Sequence, residues 1–277
     1  MNNDKRLSFI TGLPRSGSTL LSNILNSNPN HFCTSTSCLI EIFMNIKNNW
    51  KKNELCKAEG IDKVKARMLT AMRGFLYGYF EDQFQENDVV FDKNRGWMTY
   101  TSILDEVLKY DYKMIVCVRD VKAITASFEK LHRKNGIEID GFTNEDFALS
   151  QSPEGRAEIW LRDNALIGLP LIRLRDALRR CPEKFIIVPY HELTNQPKVV
   201  LKRIHEQLGL EDFEYNFENV EQTIFEEDII HGWKDLHKIQ GKVQSNELPG
   251  WHGIYNQEFL NSLDSRYRDI NNLSTYK

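Results

Sequence analysis

Apolar residues along this chain follow two patterns. Lys113–Val118 (KMIVCV) and Phe185–Pro189 (FIIVP) are short, continuous apolar runs rich in β-branched residues, as expected of strands buried on both faces. Asp88–Asp92 (DVVFD) and the stretch beginning at Phe9 read the same way, and His31–Thr34 is a shorter candidate strand. Between the runs, apolar positions recur at helical spacing. Ser18–Asn28 does so through Leu20, Leu21, Ile24 and Leu25, and Asn28-Pro29-Asn30 ends it. Ser35–Trp50, Asp62–Phe84, Thr99–Lys109 and Val121–Lys134 repeat the pattern. A helix is expected over Arg156–Arg180, kinked or divided at Pro170. Another is expected over Pro197–Leu208, with proline near its first position and Gly209 just past its end. Lys51–Lys57 reads as a polar loop, 136–153 as an irregular and mobile insertion, and 213–277 as an aromatic-rich tail packed on the core.

Strand and helix units alternate without an internal repeat or a linker-like break, so a single domain over 1–277 is expected. Its class is α/β: a P-loop-like parallel β-sheet flanked by helices on both faces. In such sheets ligands bind beyond the carboxyl ends of the strands. Four marked groups fall at those ends: Pro14–Thr19, Lys93–Arg95, Arg119-Asp120 and Tyr190. One shared site is therefore predicted.

Composition narrows the class further. The chain has 277 residues, 41% hydrophobic and 27% charged, with a formal net charge of −3. That balance argues against nucleic-acid binding, which requires a basic face. No apolar run approaches the ~20 residues that span a bilayer, and MNNDKRLSFITG enters the first strand without an apolar signal region. The expectation is a cytoplasmic protein that binds no membrane. The five cysteines are odd in number, widely spaced and free of a C-x-x-C pair, as suits reduced thiols. His31, Cys33 and Cys38 match no zinc spacing, so no metal site is expected.

The segment FITGLPRSGSTL (9–20) carries the most chemistry. A strand runs into a glycine loop and then a helix start, with Gly12 and Gly17 at the spacing of the GxxxxGK[ST] phosphate cradle. Amides at a helix N-terminus bind phosphate. The cradle's lysine is absent, however: Ser18 follows Gly17, and the basic residue is Arg15, inside the loop. The loop suits a phosphate-bearing nucleotide that is not used as a triphosphate.

Together these motifs resemble the sulfotransferases that use 3′-phosphoadenosine 5′-phosphosulfate, and the tyrosylprotein-sulfotransferase branch and its bacterial relatives in particular. The motifs run in order over residues 9 to about 210. The resemblance implies the sulfotransferase fold and transfer of a sulfuryl group to a hydroxyl or amine acceptor, leaving adenosine 3′,5′-bisphosphate. It implies that Pro14, Arg15, Ser16, Gly17, Ser18 and Thr19 bind the 5′-phosphosulfate. Arg119 and Ser127, eight positions apart in VRDVKAITAS, would bind the 3′-phosphate, and Tyr190 in VPYHEL would help hold the nucleotide. Lys93 in FDKNRGW would act at the bridging oxygen of the leaving group. Arg15 and Lys93 would supply the positive charge that magnesium supplies in kinases.

Each residue also has a structural alternative: a solvated cation for Arg15 and Lys93, a helix-capping ion pair for Arg119 with Asp120, core packing for Tyr190. The family's glutamate base is expected about twenty positions past the loop arginine, and here that place holds Thr36. Glu41, the next carboxylate downstream, and His31 are the candidates, an exposed helical carboxylate being the alternative for Glu41. Two rival functions stand beside this one. A P-loop small-molecule kinase would use Asp92 for magnesium, and a non-catalytic nucleotide-binding protein would keep the fold without turnover. The acceptor is not specified by the sequence, and a homodimer is compatible with it.

Overall fold

The computed structural model describes residues 5–136, 144–244 and 249–274. Five strands, β1 (Arg6–Gly12), β2 (His31–Thr36), β3 (Val89–Lys93), β4 (Met114–Val118) and β5 (Phe185–Pro189), form one sheet in the order β2-β3-β1-β4-β5. Every pairing is parallel. From β1 the chain goes to the edge strand β2, returns with β3 between β2 and β1, and then crosses to β4 and β5 on the other side of β1. The carboxyl ends of β1 and β4 therefore flank the crevice where such sheets hold their ligands.

The continuous apolar runs are explained by burial on both faces. Along β4, Met114, Val116 and Val118 enter one hydrophobic core while Ile115 and Cys117 enter the other. In β1, Leu7 and Phe9 point one way and Ile10 the other. This is the two-residue alternation of a strand with no solvent face.

Fourteen α-helices occur among the described residues. In chain order they are α1 (Ser18–Leu25), α2 (Leu39–Asn49), α3 (Glu54–Glu59), α4 (Ile61–Gly78), α5 (Glu81–Glu86), α6 (Thr101–Val107), α7 (Val121–Asn135), α8 (Asn144–Ser150), α9 (Pro153–Leu161), α10 (Gly168–Arg180), α11 (Tyr190–Asn195), α12 (Pro197–Leu208), α13 (Gln257–Arg266) and α14 (Arg268–Leu273). On one face α1 and α12 bury Leu21, Ile24, Leu25, Val200, Leu201 and Ile204. On the other face α2, α7 and α10 bury residues such as Phe43, Phe128 and Leu171 against Trp97 and Val116.

Three expectations change in detail. Residues 51–57 hold the start of α3, because the Asn53 side chain accepts from the Leu55 and Cys56 amides and caps a helix there. The helix expected over 62–84 is two helices, α4 and α5, parted where Phe80 turns into the core. The one expected over 156–180 is also two. The break lies at 162–167, so Pro170 falls in the first turn of α10, where a missing N–H leaves no bond unmade. Within the 136–153 segment, residues 137–143 lie outside the described residues, and α8 occupies 144–150. His31 and Cys33 are buried while Cys38 is exposed.

After α12 the chain runs as a long, mostly irregular tail. Tyr215, Val220, Ile224 and Val243 anchor it on one core, and Tyr255, Leu263, Tyr267 and Ile270 on the other. No helix among the described residues is long and apolar enough to cross a membrane.

Candidate active site

The loop after β1 is fixed by close backbone contact. Gly12 has φ 127°, and a Cβ there would lie 2.1 Å from the Cys117 carbonyl oxygen of β4. Only glycine fits so close an approach between these neighbouring strands. Leu13 N then donates to that same carbonyl at 2.9 Å. Ser16 is fully buried, and its Oγ donates to the Leu13 carbonyl at 2.5 Å, so this side chain braces the loop from behind. Arg15 (φ 55°) and Gly17 (φ 87°) take left-handed conformations, and Gly17 lies against the Tyr190 ring. α1 starts at Ser18 with no side-chain cap and no acidic residue in its first turn. Its first amides lack intrahelical acceptors and carry the positive end of the helix dipole.

The cavity above this loop has a volume of about 470 Å³. Pro14, Arg15, Gly17, Ser18, Thr19, Lys93, Arg119, Ser127 and Tyr190 all line it, so residues from four strand ends meet in one place. Seven lysine and arginine side chains line the cavity and, among the described residues, no aspartate or glutamate does. In a chain of net charge −3 this is a local reversal of sign, and it suits a polyanionic ligand.

The arginines are held by interlocking bonds. Arg15 Nε donates to Ser127 Oγ at 3.0 Å, and its Nη1 donates to the Leu236 carbonyl of the tail. Arg119 Nη1 donates to the Arg15 carbonyl at 2.8 Å, and its guanidinium lies 4.1 Å from the centre of the Tyr190 ring. Burial lowers the pKa of both arginines, and the Arg119 charge lowers that of Arg15 further. Both stay protonated at neutral pH, so the site holds positive charge that an anion would relieve. Asp120 does not pair with Arg119. It caps α7 by accepting from Lys122 N at 2.8 Å and lies 3.8 Å from Lys122 Nζ.

Lys93, at the end of β3, is 6% exposed and pairs with Glu226 of the tail at 2.9 Å; its Nζ also reaches Thr19 Oγ1 at 3.4 Å. Glu226 Oε1 further accepts from Thr36 N at 2.8 Å and Thr36 Oγ1 at 2.9 Å. Burial opposes the charged carboxylate, yet Lys93, His237 and Thr36 outweigh it and hold its pKa down at about 2. The other oxygen, Oε2, lies 3.4 Å from His237 Nδ1 and 3.6 Å from His231 Nε2. Glu226 stands behind Lys93 and Thr36 and does not line the cavity, whereas both histidines do.

Glu41 is not brought to this site. It is exposed in the first turn of α2 and outside the cavity lining, where its charge favours the helix dipole. His31 is buried between Phe91 and His205. Asp92, the aspartate a kinase would need, is fully buried, accepts from Trp97 Nε1 at 2.6 Å and does not line the cavity. Sequence reasoning missed Glu226, Asp228, Leu236 and His237. The only local signal was a cluster of histidines and carboxylates in a stretch without periodicity.

A family model described as "Sulfotransferase family" matches residues 8–215. A Caenorhabditis briggsae protein named "Putative protein-tyrosine sulfotransferase" is 21% identical over 271 residues, covering 95% of this chain and 87% of that protein. Among solved structures, the sulfotransferase domain of the Synechococcus PCC 7002 olefin synthase is 20% identical, with 96% of this chain and 89% of that one covered and a TM-score of 0.44. A sulfotransferase from Alicyclobacillus acidocaldarius is 13% identical, with 98% and 94% covered and a TM-score of 0.48.

Proposed function

The chain belongs to the sulfotransferase family, and from that premise we propose that it transfers a sulfuryl group from 3′-phosphoadenosine 5′-phosphosulfate to a hydroxyl or amine. The observation that carries the donor assignment is the cavity lining: seven basic side chains and, among the described residues, no carboxylate around an uncapped helix start. Gly17 lets the Tyr190 ring lie against the loop, since a Cβ there would meet that ring at 2.7 Å.

In this reading the amides of Gly17–Thr19 and the Arg15 guanidinium hold the 5′-phosphosulfate. Ser127 already bonds Arg15, and Arg119 is ordered by the loop carbonyl and the Tyr190 ring. Arg119 and Ser127 are thus ready to bind a 3′-phosphate as a pair, with Tyr190 as a wall of the nucleotide site. Lys93 neutralises charge that develops on the bridging oxygen as the S–O bond breaks. Loose in-line transfer of this kind depends on positioning and charge more than on covalent chemistry. The name of the C. briggsae relative, a protein-tyrosine sulfotransferase, adds a phenolic hydroxyl to the acceptors worth testing.

Ligand-dependent thermal unfolding tests the reading. Adenosine 3′,5′-bisphosphate at a hundredfold excess over its Kd should stabilise the protein by ~2.7 kcal/mol. Adenosine 5′-monophosphate and ATP with magnesium should do much less. Arg119→Ala should erase the preference for the bisphosphate over the monophosphate, and Arg119→Lys, which keeps charge but loses the planar fork, should fall between. Equal stabilisation of wild type by ATP, or a preference that survives Arg119→Ala, would refute the assignment.

A further inference from the structure

The proton of the acceptor has no obvious destination among the donor-binding groups. Arg15, Arg119 and Lys93 are cations and Glu41 lies elsewhere. The tail supplies one. His237 lines the cavity, and its Nδ1 donates to Asp228 Oδ1 at 2.6 Å. Its backbone N–H donates to the other oxygen of the same carboxylate at 3.0 Å. Asp228 thus grips His237 at two points and fixes its tautomer, with the proton on Nδ1. Nε2 then carries a free lone pair, and it has no hydrogen-bond partner among the described residues.

This ring is tied to the proposed reaction centre through one carboxylate. Lys93 Nζ bonds Glu226 Oε1 at 2.9 Å, and His237 Nδ1 lies 3.4 Å from Glu226 Oε2. The charged and titratable groups that face His237 are Asp228, Glu226, Lys93 and His231, whose ring centre is 5.9 Å away. Burial lowers the His237 pKa below its ordinary 6.5 despite the two carboxylates, so the imidazole is neutral at pH 7. Glu226 is a poorer base: three donor contacts occupy its Oε1, and it does not line the cavity.

We propose that His237, oriented by Asp228, is the general base of this sulfotransferase, with Glu226 as a positioning residue that sets His237 beside Lys93. The inference rests on the donor reading above. As the acceptor oxygen or nitrogen forms its bond to sulfur, its proton passes to His237 Nε2. The bond from sulfur to the 5′-phosphate oxygen breaks, and its electron pair stays on the bisphosphate, where Lys93 faces it. The imidazolium then returns its proton to water.

The test uses radiolabelled donor with N-acetyltyrosinamide, a primary alcohol, a primary amine and water as acceptors, beside bisphosphate binding for every variant. His237→Gln should bind bisphosphate as wild type does and lose on the order of 10²–10⁴ in kcat. In wild type, kcat/KM should rise with pH along a limb whose midpoint lies below the ordinary histidine value, and His237→Gln should lack that limb. Asp228→Asn should move the midpoint lower still, because the imidazolium loses its counter-charge, and a merely structural role would not do that. Turnover and limb preserved in His237→Gln would overturn the assignment. So would a limb that persists in His237→Gln but vanishes in Glu226→Gln or Glu41→Gln. Wild type that binds bisphosphate yet transfers to no acceptor, water included, would overturn it as well. Wild type that does not bind bisphosphate at all would refute the donor reading, and the base with it.

Discussion

Lys93 shows how one side chain can hold a structural and a chemical role that experiment can separate. Its ammonium and the Glu226 carboxylate are each 6% exposed and 2.9 Å apart. Removing one member of a buried pair strands the other charge and typically costs 3–5 kcal/mol. Lys93→Ala should therefore lower stability by about that amount, as read from urea midpoints. Lys93→Ala combined with Glu226→Gln should recover most of the loss, because the remaining amide can be satisfied by Thr36. If Lys93 also stabilises the leaving group, kcat of the repaired double variant should lie on the order of 10²–10³ below that of Glu226→Gln alone, which already carries the cost of the lost positioning carboxylate. Bisphosphate binding should change less, since the interaction strengthens mainly in the transition state. A double variant with wild-type turnover would leave Lys93 a purely structural cation.

At the scale of elements, the end of β1 lies so close to β4 that no side chain fits between them. A methyl at Gly12 would need to move the Cys117 backbone, and φ 127° is itself unfavourable for any residue with a Cβ. Gly12→Ala should cost about 2–3 kcal/mol or more and displace the loop, weakening bisphosphate binding in the fraction that folds; circular dichroism melts and titration calorimetry read the two effects. The loop after β1 was legible in the sequence because β1 is an apolar run and the glycine spacing marks the turn between β1 and α1, whereas the close contact of Gly12 with Cys117 was not. The ends of β3, β4 and β5 were legible for the same reason, so Lys93, Arg119 and Tyr190 could be assigned to one site from order alone. The α9–α10 break was not legible, since helical spacing continues through it and only the position of Pro170 in a first turn betrays it. The tail was opaque for a different reason. Glu226 and His237 owe their places to Lys93, Thr36 and Asp228, and the Lys93 contact spans 133 residues with no ladder or helix to transmit register. Position 36 shows the limit most clearly: the chain has a threonine there, and its hydroxyl holds a carboxylate that arrives from 190 residues away.

For the whole molecule, two buried carboxyls give opposite pH dependences. Glu226 has a folded pKa of about 2 against an ordinary 4.5. Its contribution, roughly 3 kcal/mol, is present above about pH 4.5 and is lost as pH falls through about 2. In Asp92 burial outweighs the Trp97 bond and the nearby Ser37 and Thr34 hydroxyls and raises the folded pKa to about 6 from an ordinary 3.8. Its neutral form is the one favoured on folding, so that contribution is present below about pH 3.8 and fades as pH rises through about 6. Denaturant midpoints measured from about pH 3 to 8 should show Glu226→Gln flattening the acid limb. Asp92→Asn, which keeps an acceptor for Trp97, should be more stable than wild type near pH 7 by about 1–3 kcal/mol. An Asp92→Asn protein that is less stable at pH 7 would mean the carboxylate is better satisfied than its burial implies.

All five strands are complete by Pro189, and Glu226, Asp228, Leu236 and His237 come from later, unladdered chain. Because no strand register constrains that stretch, an insertion or deletion there shifts side chains without breaking a sheet. If the nucleotide is held from the strand ends and the acceptor's proton is taken from the tail, the two specificities sit in separable portions of the polypeptide. Exchange of the chain downstream of α12 would then alter the acceptor side while the strand ends stay in place, with the Arg15–Leu236 and Lys93–Glu226 contacts as the ties that any new tail has to rebuild.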